Sequence, residues 1–145
     1  MTIMRADIER PESLDLSSQT LAYLVLKART FDAQTPPADS NEASNAADDR
    51  GVAILESMRD DATPAELRAA IARLSDDQQI SLVALVWIGR GDFEAAEWED
   101  AKALARQRHQ TSTARYLMGM PLLGDYIEEG AAALGLNLTD EESEL

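Results

Sequence analysis

The sequence predicts an all-α protein, a compact bundle of about six or seven short helices around a central apolar helix. Apolar residues recur at helical spacing in successive segments, and cap residues, glycines or prolines bound each segment. No segment alternates β-branched and polar residues in the manner of a half-buried strand. A chain of 145 residues can bury a core without disulfides or metals, so we expect one domain.

The first predicted helix covers Leu14 to Ala33. Its apolar residues form one stripe, and a serine near its start, Ser17 or Ser18, is a typical N-cap residue. With Ser17 as the cap, Leu16 and Leu21 take the two positions of a hydrophobic staple. The local pattern therefore indicates both where this helix begins and which residues it buries.

A loop is predicted at 34–45, because two adjacent prolines interrupt any helix there and turn-forming residues surround them. A second helix is expected at Ala46–Met58. Thr63 and Pro64 then suit the cap and the first position of a third helix.

The longest apolar run, Ile80–Ile88, is predicted to be the central helix of the bundle. Ser75 and Gln78 form a capping box before it, and two aspartates there suit the positive end of the helix dipole. The run is much shorter than the roughly 20 apolar residues of a membrane-spanning helix. We therefore expect a buried core helix and no membrane association.

A tight turn with the sequence GRGD follows this run. Gly89 is expected in the left-handed conformation after the central helix, and Asp92 is expected to cap the next helix, Phe93 to about His109. Acidic residues cluster early in that helix and basic residues late, as the helix dipole favours. Thr111 and Ser112 then suit the cap of a short helix.

The last predicted helix begins at Pro121 and ends at Gly135. The predicted domain organisation is an N-terminal extension at 1–13, one helical domain at 14–136 that includes the loop, and an acidic tail at 137–145. We expect this tail to be frayed and unpaired.

The net charge of the chain is −14, from 27 acidic and 13 basic residues. Phosphate backbones and anionic membrane surfaces repel such a chain, so we expect no nucleic-acid partner. After Arg115 there are seven acidic residues and no basic one. If the last helix folds back, we expect Arg106, Arg108 or Arg115 to pair with Asp125, Glu128 or Glu129.

The chain has no cysteine and one histidine. These counts exclude a disulfide scaffold, a thiolate zinc site and sites with several histidines. No catalytic signature occurs, and we expect no metal and no cofactor, while an enzyme of an unrecognised type stays open as an alternative. The start of the chain has no apolar run of the kind found in signal peptides, so we expect a cytoplasmic protein.

Residues 74–135 resemble a bacterial family of small, mostly helical proteins that is known only as a domain of unknown function. The resemblance lies in LVALVWIGRGDFEAAEWEDA at 82–101 and in ARYLMGMPLLGDYIEEGAAALG at 114–135, and LAYLVLKARTF at 21–31 fits it. It implies a compact helical protein. It implies no activity, ligand or catalytic residue.

Two hypotheses for the function stay open. The first is a non-enzymatic, acidic interaction module that docks on a protein with a basic face or on a second copy of itself. The alternative is an enzyme or small-ligand-binding protein with a site near Arg90, Trp98, Arg115 and Tyr116. The candidate ligand or interface residues combine the locally basic region with aromatic side chains: Arg90, Trp98, Arg108, His109, Arg115 and Tyr116. A pocket with converging polar groups would favour the alternative, and a flat apolar patch would favour docking.

Overall fold

The computed structural model describes residues 11–34, 62–109 and 112–143. The predicted loop after the first helix, the predicted helix at Ala46–Met58 and the predicted cap Thr111 lie outside the described residues. Within these ranges every regular element is helical and no strand occurs, which confirms the all-α class. None of the described helices combines the length and the apolar character needed to cross a bilayer.

Seven α-helices follow one another in the described ranges, and a short 3-10 helix precedes the fourth. They are α1 (Ser18–Gln34), α2 (Ala62–Ala72), α3 (Asp76–Arg90), the 3-10 helix (Ala95–Glu97), α4 (Trp98–Gln107), α5 (Thr113–Met118), α6 (Leu123–Ala133) and α7 (Thr139–Ser143).

Three helix starts follow directly from the local sequence. The Ser17 hydroxyl accepts the Thr20 backbone N–H at 3.0 Å, so Ser17 is the cap of α1. Ser75 and Gln78 form both hydrogen bonds of the predicted capping box at the start of α3. The Ser112 hydroxyl accepts the Arg115 backbone N–H at 3.1 Å, so Ser112 is the cap of α5. By contrast, α2 begins at Ala62, one residue before its predicted cap.

The predicted role of Gly89 is wrong. The helix α3 continues through Arg90, and Gly91 adopts the left-handed conformation, with a φ of 95°. Asp92 does not cap the following helix. Its carboxylate instead accepts hydrogen bonds from the Arg90 guanidinium, and the 3-10 helix begins after Glu94.

Gly89 has a different function, in the packing of α3 against α6. A Cβ atom at Gly89 would lie 1.9 Å from the Tyr126 carbonyl oxygen. On the facing helix, a Cβ atom at Gly130 would lie 2.1 Å from the Leu85 carbonyl oxygen. The two helices therefore approach so closely that neither glycine leaves room for a side chain.

The apolar segment Ile80–Ile88 is buried along its whole length. Its helix, α3, packs mainly against α4 and α6, whereas α1 packs against α2, α6 and α7. The helix that contacts both groups is α6. The predicted burial of the apolar helix is thus confirmed, while its predicted central place in the bundle is not.

Both ends of the described chain are attached to the bundle. Ser13, which lies in the predicted N-terminal extension, accepts a hydrogen bond from the Trp98 indole at 2.7 Å. Its carbonyl oxygen accepts one from the Lys102 ammonium at 2.9 Å. At the other end, Leu138 is buried and α7 packs on α1. The expectation of a frayed tail is therefore wrong for residues 137–143.

The carboxylates of α6 do not pair with the arginines that the sequence suggested. Arg29 of α1 forms ion pairs with Asp125 and with Glu128, and its guanidinium lies 3.5 Å from Glu142 of α7. Burial opposes the charge of Arg29, but its hydrogen bonds to Glu128 and Asp125 outweigh burial and raise its pKa. The expected pairing fails because α1, and not the end of α4, covers this side of α6.

Candidate functional site

A cleft of about 230 Å³ lies where α3, α4 and α5 meet. Val83 and Trp87 lie one turn apart on α3, so their side chains share one face of that helix. The cleft is also lined by Ala105 of α4, by Arg108 and His109 just after α4, by the cap residue Ser112, and by Thr113 and Tyr116 of α5. It brings together three of the six candidate residues: Arg108, His109 and Tyr116.

A hydrogen bond between two aromatic residues fixes one wall of the cleft. The Trp87 indole N–H donates to the Tyr116 hydroxyl at 3.0 Å. The Arg90 side chain also interacts with this hydroxyl. Because the phenol oxygen accepts from the Trp87 indole, its own proton is available as a donor. Tyr116 is 42% exposed, although its ring forms part of the wall.

His109 is held between a carboxylate and a hydroxyl. Its Nε2 atom lies 3.6 Å from Asp76 Oδ1, and its Nδ1 atom lies 3.4 Å from Thr113 Oγ1. Asp76 lines a second, neighbouring cleft, which shares His109, Ser112 and Thr113 with the first. His109 therefore lines both clefts, and its imidazole lies next to the Asp76 carboxylate.

Arg108 lines the cleft and has no ion pair within the described residues. Its neighbour Arg106 pairs with Asp77 at 3.4 Å, and Arg90 pairs with Asp92 at 2.6 Å. Arg68, Arg73 and Arg115 also have no ion pair within the described residues, but only Arg108 among these lines the cleft. Arg108 therefore supplies a guanidinium that no neighbouring side chain neutralises.

The lining of this cleft differs in charge from that of three other clefts. Glu128 and Glu129 line a larger one of about 610 Å³, Asp76 lines the neighbouring one together with His109, and Glu66 lines a fourth between α1 and α2 together with Arg73. The cleft between α3, α4 and α5 has no acidic lining residue and two basic ones. It is thus a locally basic concavity in a strongly acidic protein.

The other three candidate residues do not line the cleft. Trp98 is buried, donates its indole N–H to Ser13 and lies under the Lys102 ammonium, so its contacts are internal. Arg115 is exposed on α5 and does not line the cleft. Arg90 lies at the rim, where it contacts Asp92, Tyr116 and the Met120 sulfur.

Sequence reasoning missed Trp87, Val83, Ala105 and the two hydroxyl residues of α5 as lining residues. The apolar run around Trp87 predicts a core position, and its side chain is indeed only 5% exposed. A signal for the cleft exists in the spacing. Val83 and Trp87 are four residues apart on α3, and the same spacing joins Ala105 of α4 to His109 and the cap residue Ser112 to Tyr116 of α5.

The family assignment follows from a match over residues 64–136 to the family model described as Protein of unknown function (DUF3775). The chain belongs to this family. The match covers about half of the chain and contains all residues that line the cleft. The contacts of Ser13, Arg29 and α7 involve residues outside the match. No match was found among curated proteins or among solved structures.

Proposed function

We propose that this protein binds a small molecule in the cleft between α3, α4 and α5. The observation that supports the proposal most strongly is the combination of a buried tryptophan wall with the Arg108 guanidinium, which has no ion pair within the described residues, and the Tyr116 hydroxyl. Ligand sites in proteins typically combine an apolar lining with a few polar groups that fix the orientation of the ligand. Val83, Trp87 and Ala105 supply the apolar part, and Arg108, His109 and Tyr116 supply the polar part.

Two of the three polar groups of the cleft, Tyr116 and His109, are held by neighbouring side chains before any ligand binds. The Trp87 indole holds the Tyr116 hydroxyl, and Thr113 and Asp76 hold the two nitrogen atoms of His109. Groups that are held by neighbours lose less conformational freedom on binding, which leaves more of the interaction energy for affinity.

The experiment is a fragment screen that follows the two tryptophan indole N–H signals by NMR. Trp87 lines the cleft, whereas Trp98 is buried against Ser13 and serves as an internal control. We expect hits to shift the Trp87 signal and to leave the Trp98 signal in place. A screen in which no fragment shifts Trp87, or in which both signals always move together, would contradict small-molecule binding at this cleft.

A second candidate function is the acidic interaction module, favoured by the net charge of −14. Large apolar side chains that are exposed in the described ranges are Tyr116 and Leu122, so docking would be led by charge and would suit a partner with a basic face. A second copy of this chain is a less suitable partner, because like charges repel.

Charge reversal tests this second function. Glu129 is exposed and has no ion pair among the described residues, so Glu129→Lys changes the surface without removing an internal contact. We expect weaker association with a basic partner at low salt, and little difference at about 1 M salt, where charges are screened beyond about 3 Å. Equal association of both proteins at low salt would contradict a charge-led module.

A further inference from the structure

We infer, on the basis that the cleft binds a small molecule, that its ligand is a small organic carboxylate with an apolar body.

The polar groups of the lining are suited to an anion. Arg108 is a cation without an ion pair within the described residues, and a planar guanidinium can bind both oxygens of a carboxylate. The Tyr116 hydroxyl accepts from Trp87 and keeps its own proton as a donor. Asp76 lines the neighbouring cleft and not this one, so no carboxylate of the lining opposes an anion.

The apolar groups indicate what the anion is attached to. Val83, Trp87 and Ala105 are buried residues of the bundle that form the apolar side of the cleft. A free inorganic anion gains nothing from this surface, whereas a ring or a short aliphatic chain is removed from water against it. The recognised ligand therefore combines one anionic group with an apolar part.

The size of the cleft limits that apolar part. Its volume of about 230 Å³ is below the roughly 300–1,000 Å³ of sites for drug-sized ligands. One aromatic ring or a chain of a few carbon atoms fits this limit, and a nucleotide or a larger cofactor does not. A single guanidinium beside one imidazole also matches one carboxylate better than a group with several negative charges.

The test compares three compounds that share one ring and differ in charge: benzoate, benzamide and benzylamine, with inorganic phosphate as the fourth probe. Their dissociation constants are measured by following the Trp87 indole signal. We expect benzoate to bind at least tenfold more tightly than the other three. Binding of benzamide, benzylamine or phosphate as tight as that of benzoate would overturn the carboxylate assignment.

Two matched variants locate the recognition. Arg108→Gln removes the unpaired guanidinium, and Arg68→Gln makes the same charge change at an exposed arginine of α2 that lines no described cleft. We expect Arg108→Gln to weaken benzoate binding about ten- to a hundredfold, as for loss of a hydrogen bond to a charged group. We expect Arg68→Gln to bind as the wild type does.

Tyr116→Phe is a second variant, which keeps the ring and removes the hydroxyl donor. We expect it to weaken benzoate binding and to leave benzamide binding nearly unchanged. If neither Arg108→Gln nor Tyr116→Phe changes the affinity for benzoate, the inference is wrong. Failure of the proposed function gives a different result, since no compound of the screen then shifts Trp87.

Discussion

Replacement of Gly89 by alanine tests the close contact between α3 and α6. The new Cβ atom would lie 1.9 Å from the Tyr126 carbonyl oxygen and 2.8 Å from the Gly130 nitrogen, and both atoms belong to the backbone of α6. Backbone atoms inside a helix cannot rotate away from the clash as the end of a flexible side chain can. The two helices must therefore separate, which loosens the packing of the buried residues between them.

Two opposing contributions set the magnitude of the effect. An added methyl group in a well-packed core typically costs about 1–3 kcal/mol. Alanine is favoured over glycine inside a helix by about 1 kcal/mol, which offsets part of that cost. Because the clash is with backbone atoms, we expect the upper part of the range and a net loss of about 1–2 kcal/mol in the free energy of unfolding.

Gly119 provides the matched control. A Cβ atom there would lie 3.5 Å from its nearest neighbour, which is ordinary van der Waals contact, and the φ angle of −79° suits any residue. We expect Gly119→Ala to be neutral or to stabilise by up to about 1 kcal/mol, because alanine restricts the unfolded chain.

The assay is urea unfolding of the wild type and both variants, with the slope of each transition used to check two-state behaviour. We expect Gly89→Ala to lower the free energy of unfolding and Gly119→Ala to leave it unchanged or raise it. A Gly89→Ala protein as stable as the wild type would show that α3 and α6 do not approach as closely as the contact distances indicate.

Three further predictions concern the core and the C-terminal helix. Leu85→Ala should lower the free energy of unfolding, measured with urea, by about 2–5 kcal/mol, because Leu85 is fully buried. Leu122→Ala, at an exposed position, should lower it by at most about 0.5 kcal/mol. Equal losses would contradict the burial of α3. Deleting residues 139–145 removes the helix α7, which packs on α1, and should lower the melting temperature. We expect a drop of about 2–4 °C for each kcal/mol of unfolding free energy that is lost. An unchanged melting temperature would show that α7 is not docked. Burial and the hydrogen bond with Glu128 raise the pKa of Glu142. The folded carboxyl group thus binds a proton at pH values where the unfolded one has lost it, and stability falls as the pH rises from about 4.3 through the raised pKa. Glu142→Gln should flatten the stability profile in that window, and parallel profiles would contradict the raised pKa.

The parts of the fold that the sequence predicts are those that depend on neighbouring residues. Ser17, Ser75 and Ser112 cap their helices through hydrogen bonds that span three residues, so a short window of sequence contains all the information. The apolar run Ile80–Ile88 indicates burial for the same reason. Its neighbours in the bundle do not follow from the run itself.

The parts that sequence reasoning missed depend on contacts between distant residues. Arg29 lies 96 residues before Asp125, and nothing in either segment indicates that α1 covers α6. Which of Gly89 and Gly91 adopts the left-handed conformation after α3 also depends on α6. Gly89 packs against the facing backbone of α6 and remains part of the helix. Gly91 is then left for the turn, where no atom approaches its Cβ position.

The candidate site also combines features that follow from neighbouring residues with features that depend on contacts between distant ones. The locally basic region and Tyr116 can be identified from composition and spacing, and the structure places Arg108, His109 and Tyr116 around one cleft. Trp87 joins them because its indole reaches Tyr116 across 29 residues. Trp98 is separated from them because Ser13, 85 residues earlier, accepts its indole N–H. Helix packing, and not the type of residue, decides which tryptophan lines the cleft.

The most direct test of small-molecule binding at this cleft is the set of intermolecular nuclear Overhauser contacts between bound benzoate and the aromatic side chains. Binding between α3, α4 and α5 predicts contacts from the ligand ring to Trp87 and Tyr116, which line the cleft. It predicts none to Trp98, which is buried against Ser13, or to Tyr23 of α1. Contacts to Trp98 or Tyr23 without contacts to Trp87 would place the ligand elsewhere and would contradict the proposed site.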